Sequence, residues 1–202
     1  MGLQLITAAA ESPLTLDELK NRLRIDSTDF DGELQLHLDA AVSHVQEITR
    51  RSLITTEWKL TLPRFPRGRR PIVLPKGETQ AVSEITYLDE DGDRQTLDDA
   101  DYIVGINTEP ATIVPSYDAN WPSHREILNS IEVTFTAGYG DVPEDVPADL
   151  RNAILLHAMT AFNGPSQENS LGGTDTAQQR ALRGLIDKYK ILSDDIADAI
   201  SS

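Results

Sequence analysis

The sequence predicts an α+β fold: a helical bundle carrying an inserted antiparallel β meander or small barrel. Two observations predict it. Apolar residues recur at helical spacing up to about Arg51 and again after Pro147, whereas from Leu53 onward they alternate with polar ones. Helical spacing lines one face with every third or fourth residue, and strand spacing with every second. The boundaries that follow are an N-terminal helical hairpin over 1–53, a β insertion over 54–140, and C-terminal helices over 141–202 that complete the bundle. Residues 176–202 are read as a possible mobile arm.

The first helix opens at Pro13-Leu14-Thr15-Leu16-Asp17-Glu18, where Thr15 and Glu18 have capping-box spacing. Leu16, Leu19 and Leu23 share one face, and Arg24 and Asp26 mark the end. The second helix is expected from Asp29 to Arg51, with Leu34, Leu38, Val42, Val45 and Ile48 as its apolar stripe. Two amphipathic helices joined by a short link pack as a hairpin.

Strands are expected around Trp58, Leu60 and Leu62, then at Ile72–Leu74, and around Val82, Ile85 and Tyr87. Asp91-Gly92 is a hairpin signal, because glycine tolerates positive φ. Further strands fall at Arg94–Leu97, Tyr102–Ile106, Thr112–Val114 and Ile131–Ala137. Pro147 then suits a first helical position. Leu150, Ile154, His157, Ala158, Ala161 and Phe162 form the next helical face. Asn163–Gly173 reads as a mobile polar loop. A last helix is expected from Thr176 to Ala199, with Leu182, Leu185, Ile186, Tyr189, Leu192 and Ile196 along one side.

Composition narrows the function. The chain has 202 residues and no cysteine, which excludes disulfides, thiolate metal sites and cysteine nucleophiles. No apolar run approaches the length of a membrane span. Met1–Ala10 is mildly apolar without a basic start, which argues against a secretory signal. Net charge is −15, and its distribution is uneven. Residues 77–150 hold 17 acids against two bases, Arg94 and Arg125, so the rest holds 33 − 17 = 16 acids and 18 − 2 = 16 bases. Such a surface repels nucleic acid, or simply keeps the protein soluble.

No phosphate-binding glycine loop, nucleophile elbow or H-E-x-x-H stands in the chain. His37 and His44 lie seven residues apart on one helix with no third ligand candidate, so no metal site is expected there. His157 is read as a hydrogen-bonded core residue. Asp89-Glu90-Asp91-Gly92-Asp93 lacks the spacing and the bidentate glutamate of a calcium loop, and reads as a solvated turn. One motif stands out: Arg64, Arg67, Arg69 and Arg70 crowd one loop around Phe65. Solvated loop, phosphate contact and contact with an acidic surface all remain open for it. The expectation is a protein without an active site, built to assemble with other subunits.

Several segments, in order, resemble the head–tail connector, or adaptor, proteins of long-tailed bacteriophages, prophages and gene transfer agents. They are Leu5-Ile6-Thr7, Pro13-Leu14-Thr15-Leu16-Asp17-Glu18-Leu19-Lys20, Leu23-Arg24-Ile25-Asp26 and Asp31-Gly32-Glu33-Leu34. Thr49 to Trp58 is similar to the family's helix-to-strand junction, and Val82 to Asp89 with Asp91-Gly92 to its central hairpin. Trp121-Pro122, Phe135 to Gly140 and Val146 to Arg151 complete the resemblance. Nothing after Phe162 matches.

The resemblance implies a structural virion protein at the neck, assembled in the host cytoplasm. It would form a ring of twelve subunits beneath the portal protein, extend the DNA channel, and meet a tail-side stopper or tail terminator. DNA would pass without sequence-specific binding, and no catalysis, cofactor, metal or membrane is implied. The partner-binding residues expected are Arg64, Arg67, Arg69 and Arg70 on the loop, with Tyr189, Leu192 and Ile196 on a C-terminal docking arm for the portal. The rivals are a small enzyme with an unrecognised carboxylate site, or a nucleic-acid-binding module using the arginine loop.

Overall fold

The computed structural model describes residues 1–164 and 177–191. The chain forms two compact units. The described residues of the β unit are Met1–Ala10, Thr55–Tyr139 and Ile191; the helical unit is Glu11–Ile54 and Gly140–Lys190.

In the helical unit, α1 spans Leu16–Leu23 and begins at the expected capping box. The Glu18 N–H donates to Thr15 Oγ1 (3.2 Å), and the Thr15 N–H donates to Glu18 Oε2 (2.8 Å). Both orphan donors are thereby satisfied. Arg24 ends the helix in the left-handed region at φ 60°. The second helix, α2 (Asp31–Thr49), buries Leu34, Leu38 and Val45 from its predicted stripe, with Val42 and Ile48 half-buried. The third, α3 (Ala148–Asn163), packs on α2 through Leu150, Ala153, Ile154 and Ala158.

The last helix, α4 (Ala177–Asp187), packs against α3 and α2. It ends earlier than the predicted Ala199. Lys188 and Tyr189 form a turn, with Tyr189 N–H donating to Ile186 O (2.9 Å), and Arg51 Nε takes the Tyr189 carbonyl (2.7 Å). A carbonyl held by a guanidinium substitutes for continued helix at that point. The predicted loop after Gly164 and the helix beyond Ile191 lie outside the described residues. No described helix is long and apolar enough to cross a membrane.

The β unit has two antiparallel sheets. The five-stranded sheet runs in the order β1 (Gly2–Thr7), β2 (Thr56–Leu62), β8 (Ile131–Ala137), β4 (Thr79–Leu88), β5 (Arg94–Thr96). The three-stranded sheet runs β3 (Ile72–Val73), β7 (Thr112–Pro115), β6 (Tyr102–Gly105). The predicted α+β class and antiparallel pairing hold, but no closed barrel forms among the described residues. Nor is the sheet a simple meander, because β8 returns between β2 and β4.

The alternation in β8 explains its central place. Ile131, Val133, Phe135 and Ala137 are fully buried, while Glu132 on the other face pairs with Lys59 of β2 (3.0 Å) and Arg94 of β5 (3.3 Å). Such cross-strand apolar and ionic pairs set the register. Beneath this face, Leu60, Ile85, Leu97, Ile113 and Leu74 join the same core. The edge strand β1 had no counterpart in the sequence prediction. All six of its residues are exposed, so its periodicity carries no burial signal.

Candidate assembly interface

The arginine loop, residues 63–71, joins β2 to β3. Phe65 anchors it, 3% exposed. Its ring stacks on Trp121 at 4.8 Å with an interplanar angle of 5°, and meets His124 edge-on at 5.1 Å. Flanking hydrogen bonds fix the stack. Phe65 N–H donates to His124 Nε2 (3.2 Å), and Trp121 Nε1–H donates to Arg70 O (3.1 Å). His124 Nδ1 lies 3.1 Å from Pro122 O, so the network assigns a neutral ring protonated at Nδ1. The ring anchors a loop whose residues 67–70 stay exposed.

The four arginines separate into distinct roles. Arg69 turns inward on its own chain. Its guanidinium donates to the carbonyls of Pro115 (3.0 Å), Ser116 (2.6 Å), Tyr117 (2.9 Å) and Ala119 (2.6 Å). A fork of five N–H donors suits this clustering of carbonyls, which a lysine could not match. Arg69 thereby clamps the connection between β7 and β8. Arg64 lies 3.6 Å from Glu126 in an exposed pair. Arg67 and Arg70 are exposed, and among the described residues no hydrogen bond or ion pair holds their side chains.

A cleft of about 330 Å³ opens beside these arginines. Its walls include Leu62, Phe65, Pro66, Ile72 and Val73, with Arg64, Arg67 and Arg70 as its only charged side chains. Chemically, it offers cations above an apolar floor, which fits an acidic partner carrying an apolar residue.

The acidic stretch is built locally. Asp89 Oδ1 accepts from the backbone N–H groups of Asp91 (3.1 Å), Gly92 (2.9 Å) and Asp93 (2.9 Å). The Gln95 hydrogen bond to its other oxygen, then these backbone donors, hold the Asp89 carboxyl below the usual range. The carboxylate is thus spent on closing the turn, as the hairpin reading expected. The two basic residues of the stretch are also spent: Arg94 on Glu132, and Arg125 on the Glu90 carbonyl (3.0 Å).

In the helical unit, Tyr189 is half-buried, with Arg51 5.9 Å and Lys188 4.7 Å from its ring centre. Leu192 and Ile196 lie outside the described residues. His44 lies against His157, ring centres 4.4 Å apart. Among the described residues, the Nδ1 of His157 is buried with no hydrogen-bond partner, so the expected hydrogen bond is missing at that nitrogen. Burial, and then His44, hold its pKa below the ordinary histidine range.

Comparison with known proteins follows this geometry. The family model of phage gp6-like head-tail connector proteins matches residues 13–93. The likeness to head–tail connectors is shown. The match spans α1, α2, the arginine loop and the β4–β5 turn, and takes in the resembling segments from Pro13 to Gly92, whereas Leu5–Thr7, Trp121-Pro122, Phe135–Gly140 and Val146–Arg151 lie outside it. Likeness in fold to solved structures continues beyond it. A chain from the neck of an empty gene transfer agent particle, computed with C6 symmetry, aligns at a TM-score of 0.77 and 22% identity, covering 95% of this chain and 96% of that one. A chain from the virion of a native gene transfer agent particle aligns at 0.76 and 21% identity, with the same coverage. A third, from a native neck computed with C12 symmetry, aligns at 0.74 and 21%. At these identities the likeness is one of fold alone. No curated protein matches the sequence.

Proposed function

We propose that this protein is a head–tail connector: a structural neck component forming a ring of identical subunits beneath the portal. The ring extends the DNA channel and presents its far side to a tail-side stopper or terminator. The observation that carries this reading is the family match over residues 13–93, joined to a fold shared along 95% of the chain with neck proteins. A neck described with C12 symmetry supports twelve copies. The acidic excess of residues 77–150 suits a channel wall, since like charge keeps DNA from sticking.

Two surfaces serve assembly in this reading. Arg64, Arg67 and Arg70 meet an acidic protein surface, and the segment from Tyr189 through Leu192 and Ile196 docks on the portal. Native mass measurement of the full chain, alone and mixed with its portal, tests the reading. A portal complex holding about one connector per portal subunit is expected, from the closed symmetry that ring assemblies share. Removing residues 192–202 should abolish that complex while leaving the circular dichroism spectrum unchanged. Unaltered portal binding by the shortened chain would dismiss the arm, and no complex with the full chain would dismiss the connector reading.

A further inference from the structure

The three-stranded sheet carries opposite chemistry on its two edges. Its order is β3–β7–β6. Ile72 and Val73 of β3 line the arginine cleft, with Arg67 and Arg70 beside them. At the other edge, Asp98, Asp99 and Asp101 lead into β6, all exposed. Hydrogen bonds hold this acidic corner in shape: Asp98 Oδ1 accepts from Ala100 N–H (2.9 Å), and Asp99 Oδ1 from the Tyr102 hydroxyl (2.7 Å). Just after it, Ile103 is 54% exposed, a large apolar side chain on a strand otherwise turned inward.

We infer that the β6 corner of one copy seats in the arginine cleft of the next. Ile103 supplies the apolar anchor against the cleft floor, and the aspartates face Arg67 and Arg70. The inference rests on the ring reading and names the contact that would build the ring. Three features carry it. The charges are opposite and stand beside the two edge strands of one sheet, so they attract between copies and suppress wrong pairings. The cleft volume, about 330 Å³, is at the lower end of the ~300–1,000 Å³ of ligand pockets, which fits a protruding side chain rather than a helix. Finally, patch and counter-patch sit on opposite edges of the same sheet. Such a head-to-tail contact repeats, and a ring results where its rotation closes.

The chain has no cysteine, so Arg67→Cys with Ile103→Cys places two unique thiols on exposed positions. Particles assembled with this variant are treated with a short bis-maleimide and run on a denaturing gel. A ladder of covalent multimers is expected, absent from either single variant. A ring visible by electron microscopy with only monomer on the gel overturns this contact and leaves the ring intact. Particles of the unaltered protein without any ring overturn the ring reading itself.

A charge-exchange pair gives a second readout. Arg67→Glu/Arg70→Glu and Asp101→Lys, the latter keeping the Ile103 anchor, should each lower neck incorporation about tenfold or more, as loss of paired charges does. Co-expressing the two should restore it, because each then offers the other complementary faces. Failure of that rescue, or a loss of DNA retention in Arg67→Glu/Arg70→Glu with ring assembly unchanged, assigns the cleft elsewhere and overturns the proposal.

Discussion

Arg69 and His157 show how single side chains shape the two units. Arg69 holds four carbonyls of one loop, a cost no exposed side chain would meet without rigidity in return. Arg69→Ala should destabilise the protein by about 1–3 kcal/mol, the range for hydrogen bonds to a charged group discounted for exposure. Amide exchange of residues 116–119 should rise with it; unchanged protection there would deny the clamp. His157 predicts a pH effect. Its folded pKa lies below the ordinary value, so the neutral ring contributes stability that is present above pH ~6.5 and lost as pH falls through the folded value. Thermal melts of the native protein should drop as pH goes from 7.5 to 5, and His157→Leu should flatten that slope. A steeper slope in the variant would contradict the assignment. Four arginines in one loop look alike in sequence, and only their reach to particular carbonyls told Arg69 from Arg67 and Arg70. The partnerless His157 Nδ1 was equally unreadable, since periodicity reports a face and not what stands opposite.

At the scale of elements, local signals were the legible ones. The Thr15–Glu18 box could be read because both partners lie within one turn. Thr15→Ala should cost about 1 kcal/mol by the usual value of an N-cap. Chemical denaturation would show it as a lower midpoint at constant slope, and a midpoint at or above that of the native protein would count against the cap. The strand β8 was predicted as Ile131–Ala137 and found there, because its strict alternation is buried on one face. Its place between β2 and β4 was not legible. Strand order is decided by pairings between residues far apart in sequence, such as Trp58 with Phe135, that no local window contains. Contacts across the chain were equally hidden after α4, where Arg51, more than a hundred residues earlier, donates to the Tyr189 carbonyl. The strand β1 escaped because pairing with β2, and not burial, defines it.

For the whole molecule, the family resemblance reached further than the chemistry. The absence of a catalytic pattern could only leave an assembly role open. The ordered segments from Leu5 to Arg151 carry the connector likeness, and the family match covers those between Pro13 and Gly92. Composition drew attention to the arginine loop, whereas its anchorage, Phe65 against Trp121 and His124, joins two distant segments that no local window contains. The central claim is that identical copies close into a ring at the neck, and electron microscopy of assembled particles tests it most directly. The account predicts a closed ring of this chain directly below the portal, in about twelve copies if it follows the portal's symmetry. A neck holding a single copy, or none, would contradict it.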